Sequence, residues 1–147
     1  MEFSEYDALK LDNQMCFPLY AASREVTKLY RPYLDALNLT YTQYITMMVL
    51  WEQRSCSAKE LGEKLYLDSG TLTPVIKSLE QKGFVKRSRS TADERVLMVE
   101  LTDTGIELRE EAKAVPQKMA GCIKLTPEEA EILYKLLYKV LGAAGER

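Results

Sequence analysis

Histidine is absent from the 147-residue chain. Without an imidazole, the sequence excludes the Ser-His-Asp and Cys-His mechanisms, and it lacks the commonest nitrogen ligand of zinc sites. Glycine-rich phosphate-binding loops of the GxGxxG and GxxxxGK[ST] types are also missing. These absences predict that the protein is not an enzyme and that it uses neither a cofactor nor a metal.

Long apolar runs and cysteines are scarce as well. No window of about 18 uncharged apolar residues occurs, so the sequence predicts no membrane span. The opening stretch "MEFSEYDALK" is acidic and lacks the pattern of a secretory signal. Three widely spaced cysteines do not make a disulfide framework. We therefore expect a cytoplasmic protein in which a cysteine is free or reactive.

Charge is unevenly distributed along the chain, whose formal net charge is −2. Residues 77–95 contain six Lys or Arg side chains and three Asp or Glu side chains, which gives this segment a net charge of +3 and leaves −5 for the rest. A basic zone on an acidic body indicates a surface for a polyanion such as a nucleic acid.

Apolar spacing and capping residues predict a helical first half, in a chain whose length fits one domain over residues 1–147. The first helix is expected over residues 12–37, kinked or split at Pro32. Asp68 or Ser69 caps a fourth helix that ends at Gly83. Capping-box pairs open the second and third helices (Thr40 with Gln43, Ser57 with Glu60). The buried stripe of the fourth helix comprises Leu72, Val75, Ile76 and Leu79.

The second half begins with two extended arms around the turn "STADER", which predict a β-hairpin with a basic first strand. Thr102 then opens a long helix that fades over residues 116–121, and Thr126 starts the last helix. The order of elements predicts a mainly α fold with a small β-hairpin wing. In class terms it is α+β, a winged helix-turn-helix inside a frame of longer helices.

The polar side of the fourth helix is the first candidate for DNA contact. Small hydroxyl side chains let a helix approach base edges closely. By itself, this face is equally compatible with an ordinary solvated helix. The hairpin favours DNA binding, because Arg95 follows an acidic turn in which the Asp93 carboxylate can hold its guanidinium. An arginine at the tip of a wing suits a narrow, electronegative minor groove. The predicted DNA-binding residues are Ser69, Thr71, Thr73 and Lys77 on the helix and Arg87, Arg89, Asp93 and Arg95 on the wing.

The stretch "LYLDSGTLTPVIKSLEQKGFVKRSRSTADERVLMVELTDTG" resembles the DNA-binding core of the MarR family of bacterial regulators. "NQMCFPLYAASRE" and "LYLDSGTLTP" resemble the organic hydroperoxide resistance subgroup. This resemblance implies a homodimeric repressor at a palindromic DNA operator. Residues 41–102 would form the DNA-binding core, and residues 1–40 and 103–147 would supply the dimerisation helices.

The cysteine in "QMCFPLY" stands at the start of the first helix. If Asp12 or Asn13 caps that helix, Cys16 lies in its first turn; if Pro18 delays the start, Cys16 lies at the cap. Either place is near unpaired N–H groups, which favour the reactive thiolate. The alternative is a small buried hydrophobe, the commonest role of a free cysteine.

The resemblance also implies that Tyr30 and Tyr41 contact the sensing cysteine. On one straight helix, Tyr30 lies about 21 Å along the axis from Cys16. An antiparallel partner helix would bring the Tyr30 of a second subunit close. Organic hydroperoxide would oxidise Cys16 to a sulfenic acid, and the two recognition helices would shift relative to each other and leave the operator.

Two cysteines remain. Cys56 precedes a helix cap, and we expect a structural role in a small strand beside the wing. Cys122 resembles the resolving cysteine of the two-cysteine regulators, which would form an inter-subunit disulfide with Cys16. Two other functions stay open: a MarR-type repressor that binds a phenolic effector, and a thiol peroxidase.

Overall fold

The computed structural model describes residues 4–145. Seven α-helices and three β-strands occur in this part of the chain, and two short 3-10 turns, Asp7–Leu9 and Leu11–Asn13, precede the first helix. The helices are α1 (Cys16–Asp35), α2 (Tyr41–Gln53), α3 (Ala58–Leu65), α4 (Ser69–Gln81), α5 (Asp103–Ala112), α6 (Val115–Met119) and α7 (Pro127–Gly145). The strands are β1 (Ser55–Ser57), β2 (Val85–Arg89) and β3 (Leu97–Leu101).

The predicted fold class is confirmed: a helix-turn-helix, α3 and α4, is followed by an antiparallel wing. The wing hairpin pairs Val85 with Leu101 and Arg89 with Leu97. β3 is the central strand, because β1 pairs with its other edge. Cys56 faces Val99 in that pairing, as expected for the small strand beside the wing.

The hydrophobic core lies between the helix-turn-helix (α3 and α4), the small sheet and the helices α1, α2, α5 and α6. Leu72, Ile76 and Leu79 of α4 are buried, so the predicted apolar stripe is confirmed, with Val75 half-buried beside it. Met47 and Leu50 of α2 are completely enclosed. The apolar side chains of α7, in contrast, remain exposed in the single chain: Ile132, Leu133, Tyr134, Leu136, Tyr138 and Val140.

The start of α1 corrects the sequence prediction. The helix begins at Cys16 after Met15, and neither Asp12 nor Asn13 caps it. Pro18 is the third residue, where a helix has no N–H partner to lose, so it fits the first turn. Pro32 does not split the helix, which continues to Asp35.

One other helix boundary and one capping box differ from prediction. The long helix after Thr102 ends at Ala112, and Pro116 lies in the first turn of a separate short helix. Proline is favoured there because its missing N–H would be unpaired in any case. At α3, Ser57 accepts from the Glu60 backbone N–H at 3.1 Å, but its hydroxyl rather than its backbone N–H meets the Glu60 carboxylate.

The remaining caps agree with the sequence. Thr40 and Gln43 form a complete capping box at α2, and Thr126 caps α7 together with Glu129. Gly83 has a φ of +82° after α4, as expected for the residue that ends a helix in the left-handed conformation. The predicted flanking segments include residues 1–3 and 146–147, which lie outside the described residues. Within residues 4–145, no helix combines the length and apolarity needed to cross a membrane.

Candidate nucleic-acid interface and cysteine sites

The N-terminus of α4 is fixed by Asp68. Its carboxylate accepts from the Thr71 backbone N–H at 2.7 Å, and this hydrogen bonding holds the pKa of Asp68 below its ordinary value. The helix is regular from Ser69 onward in spite of Pro74. Pro74 cannot donate a hydrogen bond within the helix, and the Asp68 cap stabilises the same end of α4.

The predicted contact residues of α4 share its exposed face. Their side chains point away from the buried stripe, and the Thr73 hydroxyl donates to the Ser69 carbonyl at 2.7 Å. That bond leaves the hydroxyl oxygen able to accept from a ligand. The exposed residues of this face are Ser69, Thr71, Thr73 and Lys77.

Arg87 has a different environment from the one the sequence suggested. Its guanidinium meets the Glu80 carboxylate at 2.9 Å, and its backbone N–H donates to the same group at 3.1 Å. These bonds to Arg87 hold the pKa of Glu80 below its ordinary value. Arg87 thus ties the first wing strand to α4, and its direct contact with DNA remains a prediction.

The wing tip carries a braced arginine. Asp93 accepts from the Arg95 backbone N–H at 3.0 Å, from Nε at 3.1 Å and from Nη2 at 3.2 Å. The Arg95 side chain is nonetheless 90% exposed. An arginine held by one side of its fork and open on the other suits insertion into a narrow, electronegative groove. Arg89 is exposed on β2 of the same wing.

Cys16 is exposed at the first residue of α1, and Met15 supplies no side-chain cap. The first four N–H groups of a helix have no partner within it, and the dipole is positive at that end. The predicted placement beside a helix N-terminus is confirmed, and the buried-hydrophobe alternative does not describe this cysteine in the single chain.

Tyr30 and Tyr41 lie together, with ring centroids 5.0 Å apart. Tyr44 completes the cluster at 5.9 Å from Tyr30. Burial, followed by the proximity of Tyr30, raises the pKa of Tyr41, so its phenol keeps its proton near neutral pH. Because α1 is continuous, Tyr30 remains about 21 Å along the axis from Cys16 of its own chain. One chain therefore brings the two tyrosines together but does not bring them to Cys16.

Cys122 is half-buried in the turn after α6. Its sulfur lies 3.9 Å from the hydroxyl of Tyr33 and 3.4 Å from the carbonyl oxygen of Lys118. Tyr33 was not among the predicted site residues. Its position one turn after Tyr30 was the available signal, but nine tyrosines in the chain favoured a packing role for most of them.

Cys56 differs from the other two cysteines. It is buried in β1, and burial raises the pKa of its thiol, which keeps it protonated and unreactive.

A polar network that the sequence did not predict joins α2 to α4. Gln43 donates to the Ser78 hydroxyl at 2.9 Å and accepts from Lys82 at 2.8 Å, while Lys82 also donates to the Asn38 carbonyl at 2.6 Å. The capping-box spacing of Gln43 was visible in the sequence, but Ser78 lies 35 residues away. The network places the start of α2, where Tyr41 lies, in direct contact with the end of the recognition helix.

The chain is similar to several known transcriptional regulators. The family model described as "Transcriptional regulator SarA/Rot" matches residues 28–112. The organic hydroperoxide resistance transcriptional regulator of Bacillus subtilis is 47% identical over 144 residues, which cover 98% of each chain. The crystal structure of a mutant MarR from Escherichia coli is 27% identical, with a TM-score of 0.67 over 87% of this chain and 96% of that one.

AbfR of Staphylococcus epidermidis has been solved in several states. Reduced AbfR bound to DNA is 35% identical and superposes with a TM-score of 0.77 over 97% of this chain and all of that one. Disulfide-formed AbfR, at the same identity and covering 97% of both chains, superposes with a TM-score of 0.62. The present structure is therefore more similar to the reduced, DNA-bound form than to the disulfide form.

Proposed function

The chain belongs to the MarR family of transcriptional regulators, and we propose that it is a repressor that leaves its operator when organic hydroperoxide oxidises Cys16. The observation that carries this proposal is the exposed thiol at the N-terminus of α1, in a chain that also presents a capped recognition helix and a braced wing arginine. The similarity to an organic hydroperoxide resistance regulator supports the choice of oxidant.

The oxidation is a two-electron step. The Cys16 thiolate attacks the distal oxygen of the hydroperoxide, an S–O bond forms and the O–O bond breaks. The leaving alkoxide takes up a proton and departs as the alcohol, so the sulfur becomes a sulfenic acid. The free N–H groups at the start of α1 stabilise the thiolate that begins the reaction.

The sensing site is assembled from two chains. Tyr30 and Tyr41 cannot reach Cys16 of their own chain, but an antiparallel α1 from a second copy brings them to it. The exposed apolar residues of α7 support such a homodimer, because a face of that kind is buried in a stable assembly. Residues 1–40 and 103–147 form the dimerisation frame, and residues 41–102 form the DNA-binding core.

Movement reaches the DNA through α2. Tyr41 is its first residue, and Gln43, two residues later, bonds to Ser78 and Lys82 at the end of α4. A sulfenic acid changes the tyrosine contacts, α2 shifts, and α4 shifts with it. Since the two half-sites of an operator are about 34 Å apart, a small rotation of each recognition helix breaks several contacts.

Cys122 resolves the sulfenic acid. Tyr33 holds Cys122 beside α1 at a point 17 residues after Cys16, which is about 25 Å along the axis. A disulfide needs Cα atoms within about 7 Å, so the pairing joins Cys122 to Cys16 of the other subunit. The reaction is stoichiometric rather than catalytic, and we place the repressor in the cytoplasm with its DNA.

The test is an operator-binding titration with and without cumene hydroperoxide. Wild-type protein is expected to lose operator affinity on oxidation and regain it with dithiothreitol. Cys16→Ser is expected to bind with the same affinity under both conditions, and Cys56→Ser serves as the matched control because that buried thiol is not expected to react. Full retention of wild-type binding after a molar excess of peroxide would reject the proposal.

A second candidate function rests on a cleft of about 870 Å³ that is lined by α3, α4, the wing hairpin and Leu141 of α7, a volume typical of small-molecule sites. Its lining includes Tyr66, Leu72 and Arg87. A small phenolic effector bound there would compete with DNA for the exposed face of α4, because Ser69 and Thr73 also line the cleft. Release of DNA by salicylate from the Cys16→Ser variant, which cannot be oxidised at that position, would support an effector-responsive repressor.

A further inference from the structure

Cys122 is held at two points by its own subunit. The Lys118 carbonyl can only accept, so the thiol S–H at 3.4 Å donates to it. That bond uses the one proton of the thiol, and the Tyr33 hydroxyl at 3.9 Å is therefore the donor to sulfur. The pKa of Tyr33 is raised by this hydrogen bond to Cys122, as expected when loss of the phenol proton would cost a contact.

Tyr33 is itself anchored. It is half-buried against the core from its place on α1, and the Lys118 ammonium lies 5.6 Å from the centre of its ring. Lys118 precedes Cys122 by one helical turn, so the phenol contacts both ends of the segment that carries the thiol. This arrangement fastens the turn after α6 to the C-terminal part of α1.

Disulfide formation removes the contact with the Lys118 carbonyl and bonds the Cys122 sulfur to the other subunit. In the resolving step, the Cys122 sulfur attacks the Cys16 sulfenic sulfur, an S–S bond forms and the S–OH bond breaks. The thiol proton and the hydroxyl group leave together as water. The sulfur then has no proton for the Lys118 carbonyl, and its position is fixed by a bond of about 2.05 Å to a sulfur of the other subunit rather than by Tyr33 alone.

We propose that Tyr33 is a positioning residue that retains Cys122 in the reduced protein and so opposes its disulfide with Cys16 of the other subunit. The inference rests on the proposed function, because it needs Cys16 to be oxidised first. The consequence is a regulator that returns readily to its reduced, DNA-binding form. An interaction present only in the reduced state shifts the thiol–disulfide equilibrium toward the thiols.

Tyr33→Phe removes the hydroxyl and keeps the ring that packs on α1 and faces Lys118. A neutral hydrogen bond of ordinary strength corresponds to roughly a two- to tenfold change in equilibrium constant. The disulfide of the variant is therefore expected to be about two- to tenfold more stable against dithiothreitol, and a tenfold change corresponds to about 30 mV. The resolving step is expected to be faster by a similar factor.

The experiment equilibrates the full-length homodimer in dithiothreitol buffers of graded potential and quantifies the Cys16–Cys122 disulfide on non-reducing gels. Sulfenic acid formation at Cys16 is measured separately with a trapping reagent. Tyr6→Phe, which removes an exposed hydroxyl from the segment just before the first 3-10 turn, is the matched control and should leave the midpoint unchanged. Thermal unfolding of reduced Tyr33→Phe should remain close to wild type.

The outcomes separate the two proposals. A more negative midpoint potential of the Cys16–Cys122 disulfide in Tyr33→Phe, with an unchanged rate of Cys16 oxidation, supports the inference. A midpoint potential that is unchanged or less negative overturns it. A wild-type protein that forms the sulfenic acid but no disulfide with Cys122 overturns the role of Tyr33 alone, whereas the absence of Cys16 oxidation overturns the proposed function itself.

Discussion

The molecule has two functional regions: the candidate DNA-facing region, which comprises α4 and the wing hairpin, and the cysteine region, which comprises Cys16, Tyr30 and Tyr41. They differ in whether the contacts of their functional side chains are all made within one chain. In the DNA-facing region, each important group has its partner within one chain: Asp68 caps α4, Glu80 holds Arg87, and Asp93 braces Arg95. In the cysteine region, Cys16 is exposed and lies far along α1 from the tyrosines predicted to contact it.

This difference indicates how a redox signal can act without unfolding the protein. In the proposed mechanism, the winged unit keeps its internal contacts and oxidation moves it as a body. In the same mechanism, the thiol chemistry depends on a second chain. Changes in the DNA-facing region should therefore alter stability or affinity in any redox state, whereas changes in the cysteine region should alter the response.

Gly105→Ala should produce the largest effect on the DNA-facing region. A Cβ at this position would overlap the backbone carbonyl oxygen of Phe84, and Trp51 donates to the Gly105 carbonyl at 2.8 Å. Because backbone must move, we expect a loss of about 3 kcal/mol in the free energy of unfolding. Chemical denaturation measures it. Gly142→Ala, where the added Cβ meets open space, is the control, and equal stability of the two variants would contradict the close approach of α5 to the wing.

Arg95→Ala should weaken operator binding by about 1–3 kcal/mol while leaving the fold and the rate of Cys16 oxidation unchanged. The side chain is exposed and held only by Asp93, so its removal disturbs little within the chain. Fluorescence anisotropy at fixed salt gives the affinity. Lys113→Ala removes an exposed cation just after α5, outside the winged unit, and should bind normally; an Arg95→Ala variant with wild-type affinity would remove the wing tip from the interface.

Tyr30→Phe should slow Cys16 oxidation roughly two- to tenfold, because one phenol donor to the thiolate is lost. Affinity of the reduced protein for DNA should not change. Stopped-flow oxidation by cumene hydroperoxide measures the rate. Tyr44→Phe tests the packing of the same aromatic cluster without removing a predicted sulfur contact, and an equal slowing in both variants would assign the effect to packing.

Asp68→Asn should have the smallest effect, confined to its pH dependence. The pKa of Asp68 is depressed in the folded state, so its stabilisation is complete above the unfolded carboxyl value of about 3.9 and is lost as pH falls through the lower folded value. The amide still accepts from Thr71 but does not titrate. Thermal unfolding over acidic to neutral pH should show a weaker acid decline than in wild type. Identical curves would argue against a lowered pKa of Asp68, and Glu107→Gln controls for a generic charge change.

The sequence predicted the features whose partners are close in the chain. Capping by Thr40, Thr102 and Thr126 depends on residues three positions away, and the bracing of Arg95 by Asp93 spans two. The buried stripe of α4 follows from helical periodicity. Local spacing is enough for these features because the backbone geometry of a cap or a turn fixes the separation of its partners.

Contacts across the fold could not be read in the same way. Ser78 is 35 residues from Gln43, and Cys122 is 89 residues from Tyr33. These contacts form only because α4 packs against α2 and α6 packs against α1. The start of α1 was also undecided, because Asp12, Asn13 and Pro18 gave competing signals. The sequence predicted Arg87 only as a DNA-binding residue, and its ion pair with Glu80 depends on the packing of β2 against α4.

The most direct test of a sensing site shared between two chains uses a mixed dimer of Cys16→Ser and Tyr30→Phe subunits, purified through two different tags. Only the Tyr30→Phe subunit then carries a reactive Cys16, and the intact Tyr30 is on the other chain. If the site is shared, cumene hydroperoxide oxidises this cysteine at the wild-type rate. Oxidation at the slower rate of the Tyr30→Phe homodimer would show that Tyr30 acts within its own chain and would contradict a site built from two subunits.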